Sequence, residues 1–119
     1  MPSNSDSLID VAFTAEFKRN LRALAKKYHH IRSDVQPVIE QLQHGELVGD
    51  QVPGTGYTVF KVRVRNRDVS RGKSGGYRVV YYLKTTSNII LITIYSKTEQ
   101  SDVSAAKIQR VIAEFQQES

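Results

Sequence analysis

Residues 77–95 read YRVVYYLKTTSNIILITIY, and this stretch decides the fold. Two runs rich in β-branched and aromatic residues flank the polar break TTSN, which predicts two strands joined by a turn. The second run, IILITIY (89–95), is apolar on both faces, as expected of a central strand. Upstream, FKVRVR (60–65) changes the hydrophobic period to two: Phe60, Val62 and Val64 point one way, Lys61, Arg63 and Arg65 the other. The polar connection NRDVSRGKSGG (66–76) joins it to the next strand. These three strands predict an antiparallel meander.

Working outward, LIDVAFT (8–14) reads as a short strand. Thr14 is placed to cap a helix whose face is Phe17, Leu21, Leu24 and Tyr28, at i, i+4, i+7 and i+11. Ser33 and Gln36 match an S-x-x-Q capping box for a second helix carrying Val35, Val38, Ile39 and Leu42, with Pro37 near its start and Gly45 as its stop. GDQVPGTGYT (49–58) reads as a loop. A last helix carries Ile108, Val111, Ile112 and Phe115, capped by Asp102 or Ser104. The expected order is β-α-α-β-β-β-α. It describes a small α+β domain with a mainly antiparallel sheet and helices packed on one face. One domain is expected over residues 1–119, with 1–7 as a flexible tail.

Composition excludes several classes. With no cysteine, disulfides, thiolate metal sites and a cysteine nucleophile are all absent. No apolar run approaches the roughly 18–20 residues of a membrane span, and MPSNSDS (1–7) has no basic n-region, so a cytoplasmic protein is expected. The net charge of +5 is unevenly placed. Residues 57–84 hold eight basic side chains against one acid, Asp68, whereas the remainder holds nine against eleven. A field concentrated in one segment points to a polyanionic partner.

The octet RGKSGGYR (71–78) contains the letters GKS. A phosphate-binding P-loop needs a glycine five residues before Gly72, where Arg67 stands, and a helix after it, where a strand is expected. The motif therefore fails, and Gly75-Gly76 reads as a turn with positive φ. His29, His30 and His44 fall at helix ends without an acidic cluster at ligand spacing, so no metal site is expected. The cations of 60–65 lie about 6.5–7 Å apart along one face, a spacing suited to phosphates of a single strand. Arg78 joins that face only if the strand register allows it. Tyr82 would then share the face and offer a ring for base stacking. Metal-free phosphodiester cleavage by a ribose 2′-OH needs a base, cations for the phosphorane charge and an acid for the 5′-oxygen. A lysine depressed by neighbouring cations could serve as base.

FKVRV, RGKSGGYRVVYYL and LITIYSKTEQSDVS, behind two helices, resemble the RelE/HigB-type toxins of bacterial type II toxin–antitoxin modules. The resemblance runs from about residue 9 to 115. It implies an endoribonuclease, without metal or other cofactor, that cleaves mRNA in the ribosomal A site and inhibits translation. It also implies a cognate antitoxin that wraps the toxin, and a complex able to bind operator DNA. By this resemblance Lys61 and Arg63 would hold the substrate backbone, Arg78 would stabilise the transition state, and Lys97 matches the lysine after the last strand. Arg71 and Lys73 match loop cations that grip phosphates, beyond the strand face on which alternation places Arg65 with Lys61 and Arg63. The pattern departs at Thr98 and Ser104, where RelE proper has arginine and tyrosine, and no histidine follows His44. Base and acid therefore stay open among Tyr95, Lys97 and Glu99. The alternative is a non-catalytic nucleic-acid-binding module, or part of a repressor complex, using the same basic sheet face.

Overall fold

The computed structural model describes residues 8–68 and 76–118. The elements are β1 (Asp10–Phe13), α1 (Ala15–Ala25), α2 (Ile31–Gln43), β2 (Asp50–Gln51), β3 (Val59–Val64), β4 (Tyr77–Thr85), β5 (Asn88–Ser96) and α3 (Ala105–Glu118). They build one five-stranded sheet in the order β1-β5-β4-β3-β2. The meander β3-β4-β5 is antiparallel as expected, and β1 adds to it parallel to β5. β2 is a two-residue edge strand inside the stretch read as a loop. Its pairing depends on the neighbouring β3 edge and leaves no pattern in two residues.

Thr14 caps α1 as expected. Its hydroxyl accepts from the Phe17 N–H at 3.0 Å and also reaches the β5 carbonyls of Leu91 and Ile92, so the cap ties helix to sheet. α2 begins two residues before the expected capping box. Ile31 is fully buried, and the carboxylate of Asp68 accepts from the His30 N–H at 3.0 Å, holding the first turn open to an earlier start. Ser33 consequently sits inside the first turn, donating to the His30 carbonyl at 3.0 Å. Pro37 lies within the helix, where it removes the bond to the carbonyl four residues earlier.

The helices are not all on one face. α1 and α2 bury Phe17, Leu24, Ile31, Val35 and Leu42 against Tyr77, Val79, Tyr81, Ile89 and Leu91. α3 packs Ile108, Val111 and Ile112 on the opposite side, against Val59, Val80, Ile90 and Ile92. The reason lies in β5, whose two faces are both apolar; each must be removed from water, and one helical layer can cover only one. α3 starts beside Lys61 and reaches Phe115 near Lys84 and Ile90, so it leaves the Arg63–Arg78 end of this face open.

Candidate nucleic-acid interface

Register decides whether the cations meet. Arg63 stands directly opposite Arg78, and Arg78 directly opposite Tyr95, so β3, β4 and β5 each place one side chain in a single row. Lys61, two residues from Arg63, points to the same side. This is the face that also carries Val59, Val80 and α3. The row thus joins a lysine, two arginines and a phenol from segments 34 residues apart at most, and sits at the open end of a packed sheet.

A carboxylate completes the group. Asp102, in the loop before α3, accepts from Lys61 Nζ at 2.9 Å, from the Val103 N–H at 2.8 Å and from the Tyr95 hydroxyl at 3.4 Å. Ser104, not Asp102, caps α3 by accepting from the Lys107 N–H at 3.1 Å. The hydrogen bond to Asp102 holds the Lys61 ammonium above its ordinary pKa, while nearby Arg78 pushes the other way and loses. The expectation of a lysine depressed by its neighbours is therefore reversed at Lys61. Burial raises the Tyr95 phenol above its usual value against the partial opposition of Lys61, so it is a protonated donor at neutral pH. Lys61 in turn holds the Asp102 carboxyl below its usual range. Asp102 lies 41 residues from Lys61 in sequence, and no local pattern announces the pair.

The other expected residues are scattered around this group. Arg65 is exposed just beyond the end of β3. Lys97 follows β5 and donates to the Ser101 carbonyl at 2.6 Å. Glu99 lies towards α1, accepting from Lys27 Nζ at 2.8 Å and from the Tyr28 hydroxyl at 3.4 Å, apart from the cation row. Tyr82 is on the same face as Arg78 but at the far end, where its ring meets Tyr57 edge-on at 5.1 Å. Arg71 and Lys73 lie outside the described residues. Arg67 is withdrawn from the basic segment: its backbone and side chain bind Asp34 on α2.

Gly76 explains the aim of Arg78. It adopts φ +85°, and a Cβ there would lie 2.6 Å from the Val64 carbonyl oxygen. Its own carbonyl accepts from the Lys97 N–H at 2.9 Å. The chain entering β4 is therefore clamped between the ends of β3 and β5. Among the described residues, no group of three or more His, Asp or Glu could hold a metal ion, and no helix is long and apolar enough to cross a membrane.

A basic row on the open end of a five-stranded sheet, with two helices behind and one in front, defines a class of small α+β proteins. The model for the RelE toxin of the RelE/RelB toxin–antitoxin system matches residues 13–117, and the chain belongs to that family. A mutant of the E. coli toxin RelE, solved in the free state, shares the fold with a TM-score of 0.55 at 13% identity, covering 90% of this chain and 96% of that one. The chain is thus a toxin of a toxin–antitoxin system, and the family implies an antitoxin partner.

Proposed function

We propose that the protein is a cytoplasmic, ribosome-dependent mRNA endoribonuclease that arrests translation. The observation that carries this reading is the row Lys61, Arg63, Arg78 and Tyr95 on one open sheet face. In the proposed reaction the ribose 2′-OH attacks the adjacent phosphorus and the 5′-oxygen leaves, giving a 2′,3′-cyclic phosphate and a 5′-OH. Arg78 and Arg63 meet the growing charge on the phosphorane oxygens. Lys61 holds a neighbouring phosphate as an ammonium. Tyr95, protonated at neutral pH, is placed to donate to the leaving oxygen. Guanidinium groups supply the charge stabilisation, so the proposed reaction needs no metal. Arg65, Arg71, Lys73 and Lys97 would extend the phosphate-binding track.

Glu99 stands beside Lys27, Lys61 is held as an ammonium, and the Asp102 carboxylate, held below its usual range by Lys61, is a weak base, so among the described residues this face offers the 2′-OH no strong proton acceptor. That observation favours a second reading, in which the same face grips RNA or operator DNA without cutting. Salt dependence cannot separate the two, since both use phosphate contacts. Mapping mRNA ends after incubation with programmed ribosomes can. New 5′-OH ends within the A-site codon, together with growth arrest on induced expression, support the nuclease; intact message at stoichiometric protein leaves the binding module.

A further inference from the structure

A recess of about 200 Å³ opens beside the cation row, between the chain leaving β2, strand β3 and the start of α3. Val52, Pro53, Val103 and Ile108 give it apolar walls, while Gln51, Lys61 and Asp102 supply its polar part. Its size falls below the range of about 300–1,000 Å³ that holds drug-sized ligands, yet far exceeds the ~30 Å³ share of one water. It suits a single ring system, not a whole nucleotide. Among the described residues, the contacts of Asp102 to Lys61, Tyr95 and Val103 all fall on Oδ1. The Asp102 side chain is 64% exposed, so Oδ2 can receive an incoming donor.

We propose that this recess is a nucleobase subsite, taking the base next to the phosphate held by Lys61 and favouring one with an exocyclic amino group. The inference rests on the RNA-cleaving reading above. A base has two apolar faces and a polar edge, and the recess offers apolar walls with Gln51, Lys61 and the open Oδ2 of Asp102 at its edge. A carboxylate accepts from an amino group, as from cytosine N4, and finds no donor at the corresponding carbonyl of uracil. Lys61 belongs both to the cation row and to the recess, so a strand lying along the row brings an adjoining base to its mouth.

The test uses ribosomes programmed with messages that carry an abasic nucleotide, or uridine, at each A-site position in turn. At one position flanking the cut, the wild-type protein should cleave the abasic message about tenfold more slowly or worse, with uridine falling towards the same level. Val103→Trp and Val52→Trp fill the recess from different walls. Each should cleave intact and abasic messages at equal rates, with a thermal melt confirming a folded chain. Equal wild-type rates on intact and abasic messages at every position would overturn the subsite and leave the nuclease standing. If the wild type cleaves no message at all, both readings fall together.

Discussion

Arg78 is flanked by Arg63 on one strand and Tyr95 on the other, which aims a fixed charge at the open face. Arg78→Ala should lower cleavage by about 100-fold or more, since it removes a preorganised charge from the transition state. The melting temperature should hardly change. Lys26→Ala, at an exposed position just past α1, should leave cleavage intact. Equal cleavage by Arg78→Ala and wild type would move the site off this face. Two buried tyrosines make a contrasting pair. The Tyr81 hydroxyl donates to the Val48 carbonyl at 2.5 Å, and burial pushes its pKa up to about 12. The Tyr77 hydroxyl is buried with no well-formed hydrogen bond among the described residues, though Asn66 is near. Tyr81→Phe should therefore cost about 1 kcal/mol by taking the donor from the part-buried Val48 carbonyl, whereas Tyr77→Phe should be neutral or stabilising in the same denaturant titration.

Elements differ in how their ends are made. Thr14 closes α1 and bonds β5 with one hydroxyl, so Thr14→Ala should destabilise by about 2 kcal/mol, at the upper end for a helix cap. Thr14→Ser should recover most of that. Pro37 is exposed within α2, so its ring contributes little packing while it denies the helix one bond. Pro37→Ala should raise stability by about 1–2 kcal/mol, the helix-interior gain less the freedom returned to the unfolded chain. A lowered melting temperature would mean that the proline fits a bend the helix needs. Gly76→Ala should both destabilise the chain and reduce cleavage, because the strained turn would shift the start of β4 and Arg78 with it.

Across the whole molecule, the two helical layers are tied together around the sheet through Glu16. Its carboxylate takes Asn20 Nδ2 at 3.0 Å and Lys107 Nζ at 3.2 Å, linking α1 to α3. Burial alone would raise its pKa, but the hydrogen bonds from Asn20 and Lys107 outweigh it and the net shift is downward from 4.5. A carboxyl depressed in the folded state stabilises above its unfolded value, and that contribution is lost as pH falls through the folded value. Stability should therefore decline in acid below about pH 4.5. Glu16→Gln should flatten that decline in melting temperature; an unchanged acid limb would show that the tie is immaterial.

Much of this is legible in the sequence. Strand parity alone put Lys61 and Arg63 on one side, since alternation is a property of the extended backbone. Helical periodicity located Phe17 and Leu24 as buried, and Thr14 as a cap is a local hydrogen-bonding matter. The pairing of Arg63 with Arg78 was not legible, because a one-residue slip would have reversed it. Nor was the side of the sheet that each helix covers: an apolar stripe states that a helix is buried, not against which face. Asp102 belongs with these, since a contact between residues 41 apart is made by the docking of α3 and by nothing in its neighbours. Backbone geometry and hydrophobic period are enough to set the elements and their apolar and basic faces. Which cations share a row and which acid meets them comes from packing, because register and helix placement are set by burying both faces of β5 at once.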